Sequence, residues 1–250
     1  MTTVADTLSA GYAAQQTAIR SAAVREFVTL WQLLSPDDLT AAFPGYHSAM
    51  LSFVKTYRSE MSAIGNRYYA GMREAAEVPG LWTAGPLSPL DEEHFVKALA
   101  LRGPLAIKQA LAKGWSLERA LANAFVVSAG VAAEFILNGG RDQIIDNARR
   151  DSAARGVARI ASPRACAFCL MLASRGAVYR SKLTAGFRAH PHCHCYPRPV
   201  FEGDKTSSVT EWAEDVYADS KGRGGGHADA KPENDRLNQL RRELYAQRGE

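Results

Sequence analysis

The sequence predicts a mainly α protein: a helical body, then a small α+β module, then a flexible C-terminal tail. Three observations lead there. Apolar residues recur at helical spacing through most of the first half, in segments punctuated by proline and glycine. All four cysteines fall between Cys166 and Cys195, in a window whose prolines break any long helix. Beyond it, Lys221 to Gly226 is a glycine-rich run with the composition of a flexible linker. The expected division is residues 1–158 for the body, 159–202 for the module, and 203–250 for the linker and a C-terminal helix.

Residues 3–34 read as the first helix, with alanines at its start and Val24, Phe27, Val28, Trp31 and Leu34 at spacings of three and four. Ser35 and Pro36 suit a cap and a first helical position, and the short helix they open is expected to stop at Ala42, before a Phe43-Pro44-Gly45 turn. From Tyr46 to about Glu77, Met50, Phe53, Val54, Tyr57, Met61 and Ile64 form an apolar stripe that reads as core. Pro79-Gly80 closes that helix, and Trp82 is a packing anchor in the irregular connector. Pro89 opens the next helix, where Asp91, Glu92 and Glu93 read as caps in the first turn rather than as ligands. After the Gly103-Pro104 break, a helix from Leu105 to Ala112 ends at Gly114. Ser116 caps a longer helix, apolar on most sides and therefore central or packed on other subunits, expected to stop at Asn138-Gly139-Gly140. Arg141 to Arg155 is expected as a separate polar helix leading into the module. No uninterrupted apolar run reaches about 18 residues, so no membrane-crossing helix is expected.

The cysteines stand in two blocks. Ser162 as N-cap and Pro163 as first residue predict a helix that stops at Gly176. It would set Cys166 and Cys169 on one face of its opening turn, about 5–6 Å apart at Cβ. One ion about 2.3 Å from each sulfur is reachable from there. In the second block Pro191 excludes helix, and an extended chain turns Cys193 and Cys195 to one side and His192 and His194 to the other. His190, next to Pro191, is free to face either way. Two donors from a helix start and two or more from a returning loop make a knuckle around a structural zinc ion, Zn2+. The candidate ligands are Cys166, Cys169, His190, Cys193 and Cys195, with His192 and His194 beside the site or at the surface.

Other readings of the cysteines fit less well. Paired blocks argue against isolated buried thiols. Residues 1–25 lack the charged start and apolar core of a signal peptide, which argues against disulfides. A redox pair would leave the second block unexplained. Ala177 to Tyr179, Phe187 and Val200-Phe201 are expected as short strands, too few to be stable without the metal.

The run CAFCLMLASRGAVY followed by HPHCHCYPRPVF resembles the C-terminal module of phage minor head proteins, the Mu F-type head morphogenesis family. That module has a Cys-x-x-Cys, a small-residue and glycine turn leading to an aromatic, a His-x-x-Cys-x-Cys, and a proline soon after. Here these features fall on Cys166, Cys169, Gly176, Tyr179, His190, Cys193, Cys195 and Pro197 or Pro199. The resemblance covers about residues 140–202. It implies a minor capsid protein, present in few copies near the portal vertex and inside the head. The implied partners are the portal protein or the major capsid protein, with no membrane; the implied location is the virion, reached from the host cytoplasm during assembly. His192 and His194 stand between the family's ligand positions, so the fourth ligand stays open.

Charge adds one partner. Residues 149–198 carry nine arginines and Lys182 against Asp151 alone, a net +9, while residues 1–148 sum to −2 and residues 199–250 to −3. Such a block suits an acidic partner, either packaged double-stranded DNA or an acidic protein surface, although charge runs are usually just solvated faces.

No nucleophile elbow, phosphate-binding loop, HExxH or G-x-G-x-x-G occurs, and His47 and His94 stand alone on predicted helices. A zinc-supported nuclease of the His-Asn-His kind is the enzyme alternative. It needs further cation ligands, and no Asp, Asn or Glu lies between Arg164 and Phe201. A zinc-dependent nucleic-acid-binding module would need an exposed helix, whereas the one after Cys169 is apolar. The expected role is structural, not catalytic. In the tail, Ser207 to Tyr217 reads as a short helix, and Asn234 caps a last one whose Leu237, Leu240, Leu244 and Tyr245 are expected to dock on a partner.

Overall fold

A computed structural model describes residues 3–162, 165–177, 193–204 and 207–219, together with 237, 238, 240–242 and 244. Among them are helices α1 (Val4–Trp31), α2 (Leu39–Ala75), α3 (Glu92–Arg102), α4 (Pro104–Ala112) and α5 (Leu117–Arg150). Strand β1 (Gly156–Ile160), helix α6 (Ala167–Ala173), strand β2 (Tyr196–Val200) and helix α7 (Ser208–Asp219) follow. The protein is mainly α with a small α+β part, as expected.

Helix α1 opens on a capping box that the periodicity does not reveal. The Thr3 hydroxyl accepts from the Asp6 amide at 3.0 Å, and the Asp6 carboxylate accepts from the Thr3 amide at 3.2 Å. The second helix departs from expectation at both of its marks. Its cap is Asp38, which accepts from the amides of Thr40 and Ala41, not Ser35. It also runs straight through Phe43-Pro44-Gly45 to Ala75. An interior proline costs one hydrogen bond and about 3 kcal/mol. Packing offsets that cost: Tyr46 is fully buried, meets Trp31 of α1 edge-on at 5.9 Å, and has Phe43 beside it. The apolar stripe of α2 is core as predicted, with Met50, Phe53, Val54, Met61 and Ile64 all buried. Trp82 anchors the connector by packing on Tyr69 at 4.8 Å.

Helix α5 lies at the centre, against α1, α2, α3 and α4. Its length and apolar composition would suffice to cross a membrane, but more than half of that apolar stretch is buried inside the protein. It does not stop at Asn138-Gly139-Gly140. Those glycines instead mark where α2 and α5 touch. A methyl group on Gly140 would lie 2.4 Å from the Tyr12 hydroxyl, and one on Gly139 would lie 2.5 Å from the Arg58 carbonyl. Gly65 faces them from α2, where a methyl would meet the Gly140 carbonyl at 2.8 Å. The same local signal that ends helices also admits a close backbone approach. The expected polar helix from Arg141 to Arg155 is therefore the end of α5, and it stops at Asp151. There the Asp151 carboxylate accepts from Tyr69 Oη and Arg73 Nε of α2, each at 3.0 Å.

β1 and β2 pair antiparallel, Gly156 opposite Val200 and Ile160 opposite Tyr196. Val200 thus pairs with a segment expected to end the helical body, and β1 straddles the expected boundary at residue 158. Val178, Tyr179 and Phe187, expected as strand residues, lie outside the described residues. Val157, Ile160, Tyr196 and Phe201 join the core of the helical body. A second, smaller core gathers the alanines and Leu170 of the α6 region, three cysteines, Ala213 of α7, Leu240 and Leu244. Two residues of the terminal apolar stripe, which is expected to dock on a partner, are covered by their own chain: Leu240 and Leu244 are 0% and 4% exposed.

Candidate metal centre

The first cysteine block sits at the start of α6, which begins at Ala167 rather than Pro163. Cys166 is the N-cap residue, with extended backbone (φ −73°, ψ 162°), and Cys169 lies one turn along. Ser162 keeps a turn contact instead, its carbonyl accepting from the Ala165 amide at 2.8 Å, and Pro163 lies outside the described residues. Gly176 follows the helix with φ +61°, the left-handed conformation that glycine adopts without strain, as expected of a residue just past a helix end.

Cys193 to Cys195 lead directly into β2, and the two cysteines return to the first block. Cys169, Cys193 and Cys195 are buried, and their sulfurs all lie within 4.8 Å of one another. The Cys169 and Cys193 sulfurs are 3.7 Å apart. Two sulfurs each about 2.3 Å from a tetrahedral ion stand about 3.8 Å apart, so this edge already has the dimension of a metal-thiolate site. Cys166 is half-buried, and its thiol is hydrogen-bonded to Cys169 but lies outside the tight trio. His190, the histidine candidate, lies outside the described residues. Three buried cysteines close together could hold a metal ion; sequence spacing alone had left the two blocks' approach as an inference.

Crowding gives the sulfurs unequal proton affinities. Hydrogen bonds to Cys166, then to Cys193 and Cys195, push the Cys169 thiol far above the usual range. The same kind of bond, from Cys169 and Cys195, holds Cys193 far below it. Cys195 is pushed up to about 11: its bond with Cys169 lowers it, but the bond with Cys193 and burial outweigh that. A cluster that shares protons in this way presents sulfur lone pairs to a soft or borderline cation, which replaces the protons.

The surroundings come from helices far away in sequence. Arg141, fully buried on α5, donates through Nε to the Cys195 carbonyl at 3.0 Å and through Nη2 to the Cys193 carbonyl at 2.6 Å. In extended chain, alternate carbonyls point the same way, so one guanidinium grips both. His194 points to α1: its ring Nε2 accepts from Arg20, and its carbonyl accepts from Gln16 at 2.9 Å. That agrees with the predicted alternation, which set His194 opposite the two cysteines. Tyr196 completes the seat, donating to the Ser9 carbonyl at 3.0 Å with its ring tilted against that of Tyr12 at 5.1 Å. Sequence reading missed Arg141, Gln16 and Arg20. Only Arg141 left a trace, as a lone cation directly after a glycine pair in an apolar helix.

The basic block is not one face. Arg159 and Arg198 are buried, Arg198 against Asp6 at 3.3 Å. Arg149, Arg150, Arg155 and Arg175 are exposed, with Arg149 paired to Asp146 and Arg155 to Glu202.

A family model described as VG15 protein matches residues 2–220, most of the chain and well beyond the cysteine module. No curated protein and no solved structure matches the chain.

Proposed function

The chain belongs to the VG15 protein family, a phage gene-product family, and from that premise we propose that it is a minor head protein with a structural role in particle assembly. The observation that carries the reading is the meeting of Cys169, Cys193 and Cys195 in one buried site. They occupy the positions at which the head-morphogenesis module has its own cysteines. The ion is zinc, held by these three sulfurs and by a fourth ligand from Cys166 or His190. Zinc bound by thiolates with no open position supplies cross-linking and no chemistry. It staples the α6 start to the hook that enters β2, and Arg141, Gln16 and Tyr196 seat that hook on the helical body.

The partners are the portal protein or the major capsid protein, with the protein inside the head near the portal vertex. The exposed arginines at the α5 end and the start of β1 are the surface offered to packaged double-stranded DNA. Two measurements test the reading. Elemental analysis of the purified full chain should return about one zinc per molecule. Cryo-EM difference maps, with and without the gene, should place its density at the portal vertex. Density distributed over the outer shell, or absent from finished particles, would overturn the head-protein assignment.

A further inference from the structure

We propose that Arg159 is a positioning residue of the metal centre, its guanidinium orienting the Cys169 sulfur toward the ion through an N–H···S hydrogen bond. This rests on the zinc reading above and adds a residue to it.

Three observations lead there. Arg159 Nη1 lies 3.7 Å from Cys169 Sγ, within hydrogen-bond range for sulfur. The side chain is 2% exposed, so the contact is made out of water, where a charge-assisted bond is strongest. Cys169 also stands within the trio, its sulfur 3.7 Å from that of Cys193 and within 4.8 Å of that of Cys195.

The strand pairing fixes the geometry. Arg159 stands opposite Pro197 in the ladder, two residues past Cys195, so the same two-stranded sheet that carries the hook also carries the guanidinium. Every residue of β1 is buried, which leaves Arg159 a narrow range of positions. The two buried arginines thus divide the work. Arg141 holds the backbone of the second block, and Arg159 holds a sulfur of the first. A donor on a coordinating sulfur fixes its orientation and draws off charge, which dulls its reactivity toward electrophiles.

The test uses the full-length chain, loaded with Co2+ for spectroscopy and with Zn2+ for stability. Wild type is compared with Arg159→Gln and Arg159→Lys, with helicity by circular dichroism as the folding control. Arg159→Gln should keep one metal per chain but bind it about 10–100-fold more weakly in chelator competition. Its sulfur-to-cobalt charge-transfer band should move to lower energy, and N-ethylmaleimide should label Cys169 of the zinc-loaded protein faster. Arg159→Lys, which keeps a buried cation, should fall between the two. If Gln at this position prevents folding, the Lys variant decides by the same three readouts. Unchanged band, affinity and labelling in a folded variant would overturn the Arg159 role and leave the zinc reading intact. A wild type that takes up neither Co2+ nor Zn2+ would overturn both.

Discussion

The two cores of this protein are built from different materials. The larger one packs tyrosines, phenylalanines and methionines from α1, α2 and α5, brought close where Gly65 meets Gly140 and Gly139 meets Arg58. The smaller one is made of alanines, three cysteines and a few leucines, with Arg159 buried at its edge. Large side chains bury enough apolar surface to hold helices together without further help. Alanines bury little, and a unit of this size usually needs a metal or a similar cross-link. The contrast teaches where sulfur matters: a defect there should leave the helical body standing, and a defect in the body should leave the sulfurs in place.

The sharpest way to break that comparison is Cys169→Ser, or removal of the ion by a chelator. Metal content should fall to zero, because structural zinc supplies about 10–16 kcal/mol in small zinc-binding peptides. Limited proteolysis should then cut within residues 159–204, while circular dichroism keeps the signal of α1, α2 and α5. Full metal content and intact protease resistance in this variant would sink the ligand assignment.

On the body side, Asp151→Ala should lower stability by about 1–3 kcal/mol, since it leaves the buried Tyr69 hydroxyl without its acceptor. Arg73 loses one bond but keeps those to the carbonyls of Val78, Pro79 and Gly80. Its thermal midpoint should drop with metal content unchanged. Leu240→Ala should cost about 2–5 kcal/mol, seen as faster proteolysis of the module alone. If that variant behaves like wild type, the terminal stripe does not belong to the smaller core. Gly140→Ala is the mildest of the set, about 1–3 kcal/mol from overpacking against Tyr12 and Met61, read as a lower midpoint in denaturant.

The parts that sequence made legible are those whose cause is local. Gly103-Pro104 ends α3 and starts α4 because proline has nowhere else to sit comfortably in a helix. The stripe from Met50 to Ile64 shows its buried face through its own spacing. The cysteine pairs announce each other because thiols so placed have few other uses. What stayed hidden depends on residues distant in the chain. Pro44 and Gly139-Gly140 carry stop signals that packing overrides. β1 is buried at every position, so it lacks the alternation by which a strand is recognised. Arg159 looks in sequence like any solvated arginine and falls in a basic block that the fold partly turns inward, while Arg141 lies upstream of that block.

The unbroken course of α5 has a mechanical consequence. With a rise of about 1.5 Å per residue, Leu117 and Arg141 stand about 36 Å apart on one stiff rod. The near end shows apolar side chains to the outside, Leu117 and Val126 among them, and the far end clasps the sulfur hook. A push or a tilt received at the near end therefore arrives at the hook as displacement rather than being absorbed by a joint along the way. A protein wired like this would feel at its sulfur cluster whatever is pressed against its opposite end.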